Sequence, residues 1–158
     1  MGSAGTGDDD VLPEATAGAM FAWGYNASGY LGQENTISKS SPVQVGSLTT
    51  WTHLYCGNFT IARKSDGTIW SWGRDNFGQL GHGDVINRSS PVQIGALSTW
   101  ATITAGNSTG FGIKTDGTLW AWGRNHVGEL GDGTKIDRSS PVQIGSLTNW
   151  SKISAYGK

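Results

Sequence analysis

The chain has 158 residues, a formal net charge of −1 at pH 7, 25 glycines, eight tryptophans and a single cysteine. This length fits one ordinary domain or an arc of a larger repeat array. The lone Cys56 excludes an internal disulfide, and no apolar stretch approaches the roughly 18 residues that a membrane-spanning helix needs. The near-neutral charge by itself argues for neither nucleic acid nor a membrane as partner.

The first residues differ in charge from the rest of the chain. Residues 1–20 contain Asp8, Asp9, Asp10 and Glu14 but no Lys or Arg, so the remaining residues carry 11 − 8 = +3. We interpret residues 1–17 as a flexible acidic leader, because small polar residues with net charge bury little apolar surface. Within it, Asp8, Asp9 and Asp10 form a candidate docking arm.

Residues 18–158 repeat one pattern with a period of 49 and then 50 residues. Trp-Gly occurs at Trp23, Trp72 and Trp122. Each copy continues to a Ser-Pro-Val-Gln segment and then to a further tryptophan, at Trp51, Trp100 and Trp150. A period near fifty residues indicates a repeat architecture, in which one folding unit explains most of the chain.

One unit reads as four short strands. In the clearest copy they are Thr102–Gly106, Thr109–Lys114, Leu119–Trp122 and Ser140–Gly145. Asp116-Gly117 between the second and third supplies the positive φ of a hairpin turn. No window has apolar residues at helical spacing, so helix content should be very low. Four antiparallel strands in about fifty residues are typical of a β-propeller blade, and the predicted class is all-β.

The segments Asp116–Gly123 and Gly128–Gly133 resemble the signature of the regulator of chromosome condensation repeat family, which forms β-propellers. The resemblance covers residues 18–158, and the Ser-Ser-Pro-Val-Gln-Ile-Gly phrase resembles the family's bacterial and bacteriophage branch. Two departures stand out. No histidine opens the second strand, and the first copy is one residue shorter between Gly57 and Gly67. The shorter copy predicts a shifted strand end or a lost bulge.

The resemblance implies a closed ring of seven blades, whereas these residues supply two full blades and partial blades at each end of an incomplete ring. Gly18–Gly24 stands where a third strand should be, Ser41–Gly46 where a fourth should be, and Trp150–Tyr156 where a first should be. Exposed sheet edges invite pairing with another chain. Three alternatives stay open: a fragment of a longer array, a protomer that completes its neighbour's blade, and a short arc capped by something else.

We expect no catalytic, cofactor or metal site. His53, His82 and His126 fall at three different repeat positions, and one cysteine cannot build a zinc-ligand pattern. The recurring tryptophans are interpreted as packing between blades rather than as ligand contacts. Cys56 stands where the next copies have Ala105 and Ala155, so it is expected to be a small buried residue.

Cationic side chains recur at two repeat positions and form the candidate partner-binding rim. Lys39, Arg88 and Arg138 hold one position, and Arg74 and Arg124 hold the other, directly after Trp-Gly. Equivalent positions should emerge on one rim of successive blades, where they could dock an acidic surface. The alternative is local pairing with nearby carboxylates, for which the candidates are Asp75, Asp84, Asp132 and Asp137.

The sequence therefore predicts a non-enzymatic structural or protein–protein interaction module that assembles through open blade edges. Its partner would be another protein or other copies of itself. The microbial resemblance makes a virion or cell-surface component plausible, and the residues do not exclude the cytoplasm. The alternatives, implied by the resemblance, are a guanine-nucleotide exchange factor for a small GTPase, as the founding member is for Ran, and a secreted protein inhibitor.

Overall fold

The computed structural model describes residues 17–155, so the acidic leader, residues 1–17, and the arm Asp8–Asp10 lie outside the described residues apart from Ala17. Ten short strands and no helix form within that range. The strands are β1 (Phe21–Gly24), β2 (Lys39–Gln44), β3 (Trp51–Cys56), β4 (Phe59–Lys64), β5 (Ile69–Gly73), β6 (Arg88–Gln93), β7 (Trp100–Ala105), β8 (Thr109–Lys114), β9 (Leu119–Gly123) and β10 (Arg138–Gln143).

The strands form two complete blades and one partial blade. β3-β4-β5-β6 and β7-β8-β9-β10 are four-stranded antiparallel sheets in which each strand pairs with its neighbour in sequence. β1 and β2 form a two-stranded sheet with the pairing of β5 and β6: Gly24 lies opposite Lys39 as Gly73 lies opposite Arg88. The predicted all-β class and the incomplete ring of four-stranded blades are confirmed.

Each complete blade is shaped by a tight turn between its second and third strands. Gly67 has a φ of 80°, which glycine adopts without steric cost, and Asp66 accepts a hydrogen bond from the Thr68 N–H at 2.9 Å. The third blade repeats this turn at Asp116-Gly117, where φ is 76°. The Asp-Gly dipeptide therefore sets the β4–β5 and β8–β9 hairpins, as the sequence predicted.

The hydrophobic core lies between blades rather than within one of them. Trp122 is fully buried, and its indole N–H donates to the Gln79 carbonyl of the preceding blade at 2.9 Å. Trp72 repeats this arrangement one blade earlier, with a bond of 3.0 Å to the Tyr30 carbonyl. The interpretation of these tryptophans as inter-blade packing is therefore correct, because each indole fills the space between two sheets.

Glycine allows the blades to approach closely. A Cβ on Gly78 would lie 2.4 Å from the Cα of Ser139 in the next blade, and a Cβ on Gly29 would lie 2.5 Å from the Cα of Ser89. Gly128 holds the same repeat position in the last copy, and a Cβ there would meet nothing closer than 4.0 Å. Gly29 and Gly78 are therefore points of close contact with the following blade. Gly128 has no such contact within residues 17–155.

Two local predictions were wrong. The segment predicted as the strand Trp150–Tyr156 is not a strand through residue 155, although the Trp150 N–H bonds the Gly117 carbonyl as Trp100 bonds that of Gly67. A strand needs a partner, and no described residues pair with this one. The shorter first copy keeps its bulge near Trp51, because the missing residue comes out of the loop between β3 and β4.

Candidate protein-interaction site

The fold brings the two cationic positions to one rim. Lys39, Arg88 and Arg138 are the first residues of β2, β6 and β10. Their Cα partners are the glycines that end β1, β5 and β9, and Arg74 and Arg124 follow two of those glycines directly. Both cationic positions therefore lie at the same end of each blade, as the repeat spacing predicted.

Most of the rim is neutralised locally. Arg88 bonds Asp84 at 2.7 Å, and Arg138 bonds Asp132 at 2.8 Å. A hydrogen bond from the Thr134 hydroxyl, with help from Arg138, holds the pKa of the Asp132 carboxyl well below its usual range. Each pair occupies positive charge that a partner would need.

The other rim cation of the third unit, Arg124, pairs with a carboxylate that is not among the predicted partners. Arg124 lies 3.5 Å from Glu129 and stacks 5.6 Å above the Phe77 ring of the preceding blade. Asp137, a predicted partner, lies 3.2 Å from His126 instead. Arg124 and Glu129 are five positions apart in a loop, which folds back and brings their side chains together.

Lys39 and Arg74 make no ion pair with any residue in the range 17–155. The reason is substitution between copies: Asn35 stands where Arg88 has Asp84, and Gln79 stands where Arg124 has Glu129. Arg74 is exposed and Lys39 is half-buried. Among the predicted rim residues, these two retain positive charge for an outside partner.

Asp75 replaces an amide at a fully buried position. Asn26 holds this position in the first copy, where its Nδ2 donates to the carbonyls of Asn35 and Ile37 at 2.9 and 3.2 Å. Asp75 accepts a hydrogen bond from the Leu80 N–H at 3.0 Å, but its Oδ2 has no hydrogen-bond partner. Burial raises the pKa of Asp75 from 3.8 to about 6. The neighbouring Asp84 also raises this pKa, so the folded chain disfavours the charged form of Asp75. Asp75 forms no ion pair with a rim cation within residues 17–155.

The clearest departure from the repeat is the exposure of one edge. Trp23 is 60% exposed, whereas Trp72 and Trp122 at the same repeat position are 1% and 0% exposed. Phe21 and Tyr25, two residues to either side, are also exposed. The sequence reasoning assigned every tryptophan to blade packing and so missed this one, although the prediction of open blade edges was the signal that could have found it.

The exposed edge borders an apolar groove of about 510 Å³ between β1 and β3. Cys56 lines this groove and is exposed, which corrects the expectation of a small buried residue. Its counterpart Ala105 is half-buried, because β7 packs against β4 of the preceding blade. No described strand lies beside β3 in that place, so the thiol remains accessible.

Metal-ligand groups and membrane-spanning helices are absent from the described range. Residues 17–155 contain no group of three or more His, Cys, Asp or Glu side chains placed to hold a metal ion. Nor do they contain a helix long and apolar enough to cross a membrane. The open edge, the groove and the two unpaired cations are the candidate features for partner recognition.

A profile described as "Regulator of chromosome condensation (RCC1) repeat" matches residues 17–62, 66–113 and 116–155. The chain belongs to the RCC1 repeat family. A second profile with the same description matches residues 100–129. No curated protein sequence matches the chain at a significant level.

Solved structures show the same fold for these RCC1 repeats. Prp20p from Saccharomyces cerevisiae is 18% identical with a TM-score of 0.73, over 81% of this chain and 34% of that one. Yeast RCC1 (Prp20) bound to Kap60 is 23% identical with a TM-score of 0.74, over 89% of this chain and 36% of that one. The RCC1-repeat chain thus spans about a third of the length of these propellers, and the likeness establishes the fold.

Proposed function

We propose that the chain is a non-enzymatic structural module that binds proteins through its open blade edges, with other copies of itself or another protein as partner. The observation that carries this proposal is the exposure of Trp23 at a position that is buried in both complete blades. A contiguous exposed apolar patch on a soluble protein commonly marks an interaction surface. Phe21 and Tyr25 extend the patch along the same edge.

Sedimentation velocity over a range of protein concentrations tests this proposal. We expect association that Trp23→Ser weakens. Ile86→Ser is the matched control, because Ile86 is 59% exposed and its counterparts Ile37 and Ile136 are exposed as well, so this position does not pack between blades. A monomer at every concentration, or equal weakening by both substitutions, would refute self-assembly through the edge.

We also propose that the rim docks an acidic surface, such as the Asp8–Asp10 arm of another copy. Lys39→Ala together with Arg74→Ala should weaken association at low salt and have less effect at high salt, because exposed charges are screened within about 10 Å at 0.1 M. Arg88→Ala with Arg138→Ala is the comparison and should have the smaller effect, since those cations already have carboxylate partners. Equal, salt-independent effects in sedimentation would contradict a role for the rim.

We also propose, from the sequence of one repeated segment, a bacterial or bacteriophage origin and a role as a virion or cell-surface component. The support is the Ser-Ser-Pro-Val-Gln-Ile-Gly phrase in the second and third copies and its close variant in the first. Co-purification of the chain with capsid or tail proteins would support a virion role, and its absence from purified particles would count against one.

A guanine-nucleotide exchange factor is the second candidate. Prp20p is described by its binding to Gsp1p and histones, and the chain shares its fold. This proposal is weaker, because the likeness is below 25% identity and covers about a third of that protein. Faster release of bound nucleotide from a small GTPase in the presence of the chain would support it, and an unchanged rate would exclude it for the GTPase tested.

A further inference from the structure

The groove beside β1 has the shape of a strand site that the complete blades fill. In those blades β4 lies beside β5 and β8 lies beside β9. The side chains of β4 that point toward the next blade are Phe59 and Ile61, both fully buried. β1 holds the position of β5 and β9, so its outer side is where a second strand would lie.

The walls of the groove match the walls that enclose Phe59 and Ile61. In the complete blades the enclosing cluster includes Ile69, Leu80, Ile103 and Trp122. The groove is lined at the same repeat positions, one copy earlier, by Met20, Leu31, Leu54 and Trp72. Leu54 is 44% exposed, whereas its counterpart Ile103 is 1% exposed. The apolar wall is therefore present, but no described side chain packs over it as Phe59 and Ile61 do over Ile103.

The backbone of β1 is also oriented for pairing. The Met20 carbonyl accepts the Val45 N–H at 2.8 Å, so Met20 faces the β2 side. Because successive residues of a strand face opposite sides, the N–H and C=O groups of Phe21 and Trp23 face the groove. Their counterparts Trp70 and Trp72 lie opposite Ala62 and Thr60 of β4.

We propose that this groove binds an extended segment of a partner protein, which adds to β1 as an antiparallel second strand. Its large apolar side chains, two residues apart, take the places that Phe59 and Ile61 take in the complete blade. Main-chain pairing supplies affinity and the apolar pockets supply selectivity, as in other cases of strand addition. This inference rests on the proposed interaction function and names its ligand class.

A synthetic peptide with the sequence of residues 58–64 is the probe, and the full chain is the receptor. Cys56 is the sole cysteine and lines the groove, so its rate of reaction with a maleimide reports occupancy. At ten times the dissociation constant the peptide should slow this reaction about tenfold, because about a tenth of the sites remain free. The tryptophan emission of the chain should shift to shorter wavelength as the exposed Trp23 indole is covered, and the Trp23→Ser variant should lack this shift.

N-methylated peptides separate strand pairing from simple apolar contact. In β4, Phe59 faces β3, since its carbonyl accepts the Gly57 N–H at 2.9 Å, so Thr60 and Ala62 face β5. Peptides N-methylated at Thr60 and Ala62 should lose protection of Cys56, whereas a peptide N-methylated at Ile61 should keep it. A peptide with Phe59→Asp and Ile61→Asp should also lose it.

Several results would overturn the inference. One is a rate of Cys56 labelling that saturating peptide does not change. Another is equal protection of Cys56 by all N-methylated peptides. Protection that grows with chain concentration in the absence of peptide would assign the groove to a second copy. Leu12 stands 49 residues, one repeat period, before Ile61. Faster Cys56 labelling in Leu12→Asp without peptide would therefore assign the groove to the chain's own N-terminal segment. Edge-dependent association in sedimentation with no peptide protection would leave the proposed function standing and remove this inference alone.

Discussion

Trp122→Ala is expected to lower the free energy of unfolding by about 3–5 kcal/mol, whereas Trp23→Ala should change it by less than about 1 kcal/mol. Both tryptophans hold one repeat position, but Trp122 is fully buried and Trp23 is 60% exposed. Removing the Trp122 indole opens a cavity between two blades and leaves the Gln79 carbonyl without its donor. Urea unfolding followed by far-ultraviolet circular dichroism measures both effects.

Trp72→Ala is the internal control for this comparison. Trp72 is 1% exposed and donates to Tyr30 as Trp122 donates to Gln79, so its loss should resemble that of Trp122. A large destabilisation by Trp23→Ala would contradict the open edge, because it would mean that the indole is covered in the free chain. Measurements at low protein concentration keep self-association from masking the difference.

Asp75→Asn is expected to stabilise the chain by about 2–3 kcal/mol at pH 8 and by less than about 1 kcal/mol at pH 4. The amide would donate to backbone carbonyls as Asn26 does, whereas the Oδ2 of Asp75 has no partner. Urea unfolding of both proteins between pH 4 and pH 8 measures the change.

The sign follows from the direction of the pKa shift. Burial raises the pKa of Asp75 to about 6 in the folded state, above its ordinary value of 3.8. Folding therefore favours the protonated acid, and this contribution is present below about pH 4 and lost as the pH rises through about 6. Asp84 and Arg88 act on Asp75 in opposite directions, and burial is the largest cause.

Asn26→Asp provides the reciprocal test. It places a carboxylate opposite the carbonyls of Asn35 and Ile37, and it should destabilise the chain at pH 8 more than at pH 4. If Asp75→Asn gave the same gain at both pH values, the ionisation of Asp75 would not be the cause. If Asn26→Asp were neutral at pH 8, the buried loop would be able to admit water to an ionised carboxylate.

The sequence predicted the blades well because their determinants are local. Short strand-forming segments and the Asp116-Gly117 turn specify the β8–β9 hairpin without help from distant residues. Because the sequence repeats, the strands assigned in one unit could be assigned at the same positions in the others. The strand predicted at residues 150–156 was wrong because its formation depends on a pairing partner, which no short sequence window contains.

The sequence predicted where the rim cations lie but not which of them form ion pairs. The repeat spacing placed Arg74 and Arg88 on one rim, and the structure agrees. Which cations are already paired depends on loop geometry, as in the contact of Arg124 with Glu129. The groove could not be found this way, because it is formed by β1 and β3, which the chain brings together across a long connection.

The sequence by itself determined the repeat and the four-stranded blade, because periodicity and turn chemistry depend on neighbouring residues. The tertiary structure decided which copy of each repeated residue is buried. Trp23, Trp72 and Trp122 share their local sequence, but Trp72 and Trp122 are buried against the preceding blade, whereas no described blade precedes Trp23. Burial depends on what packs against a residue, and that is a property of the assembled blades.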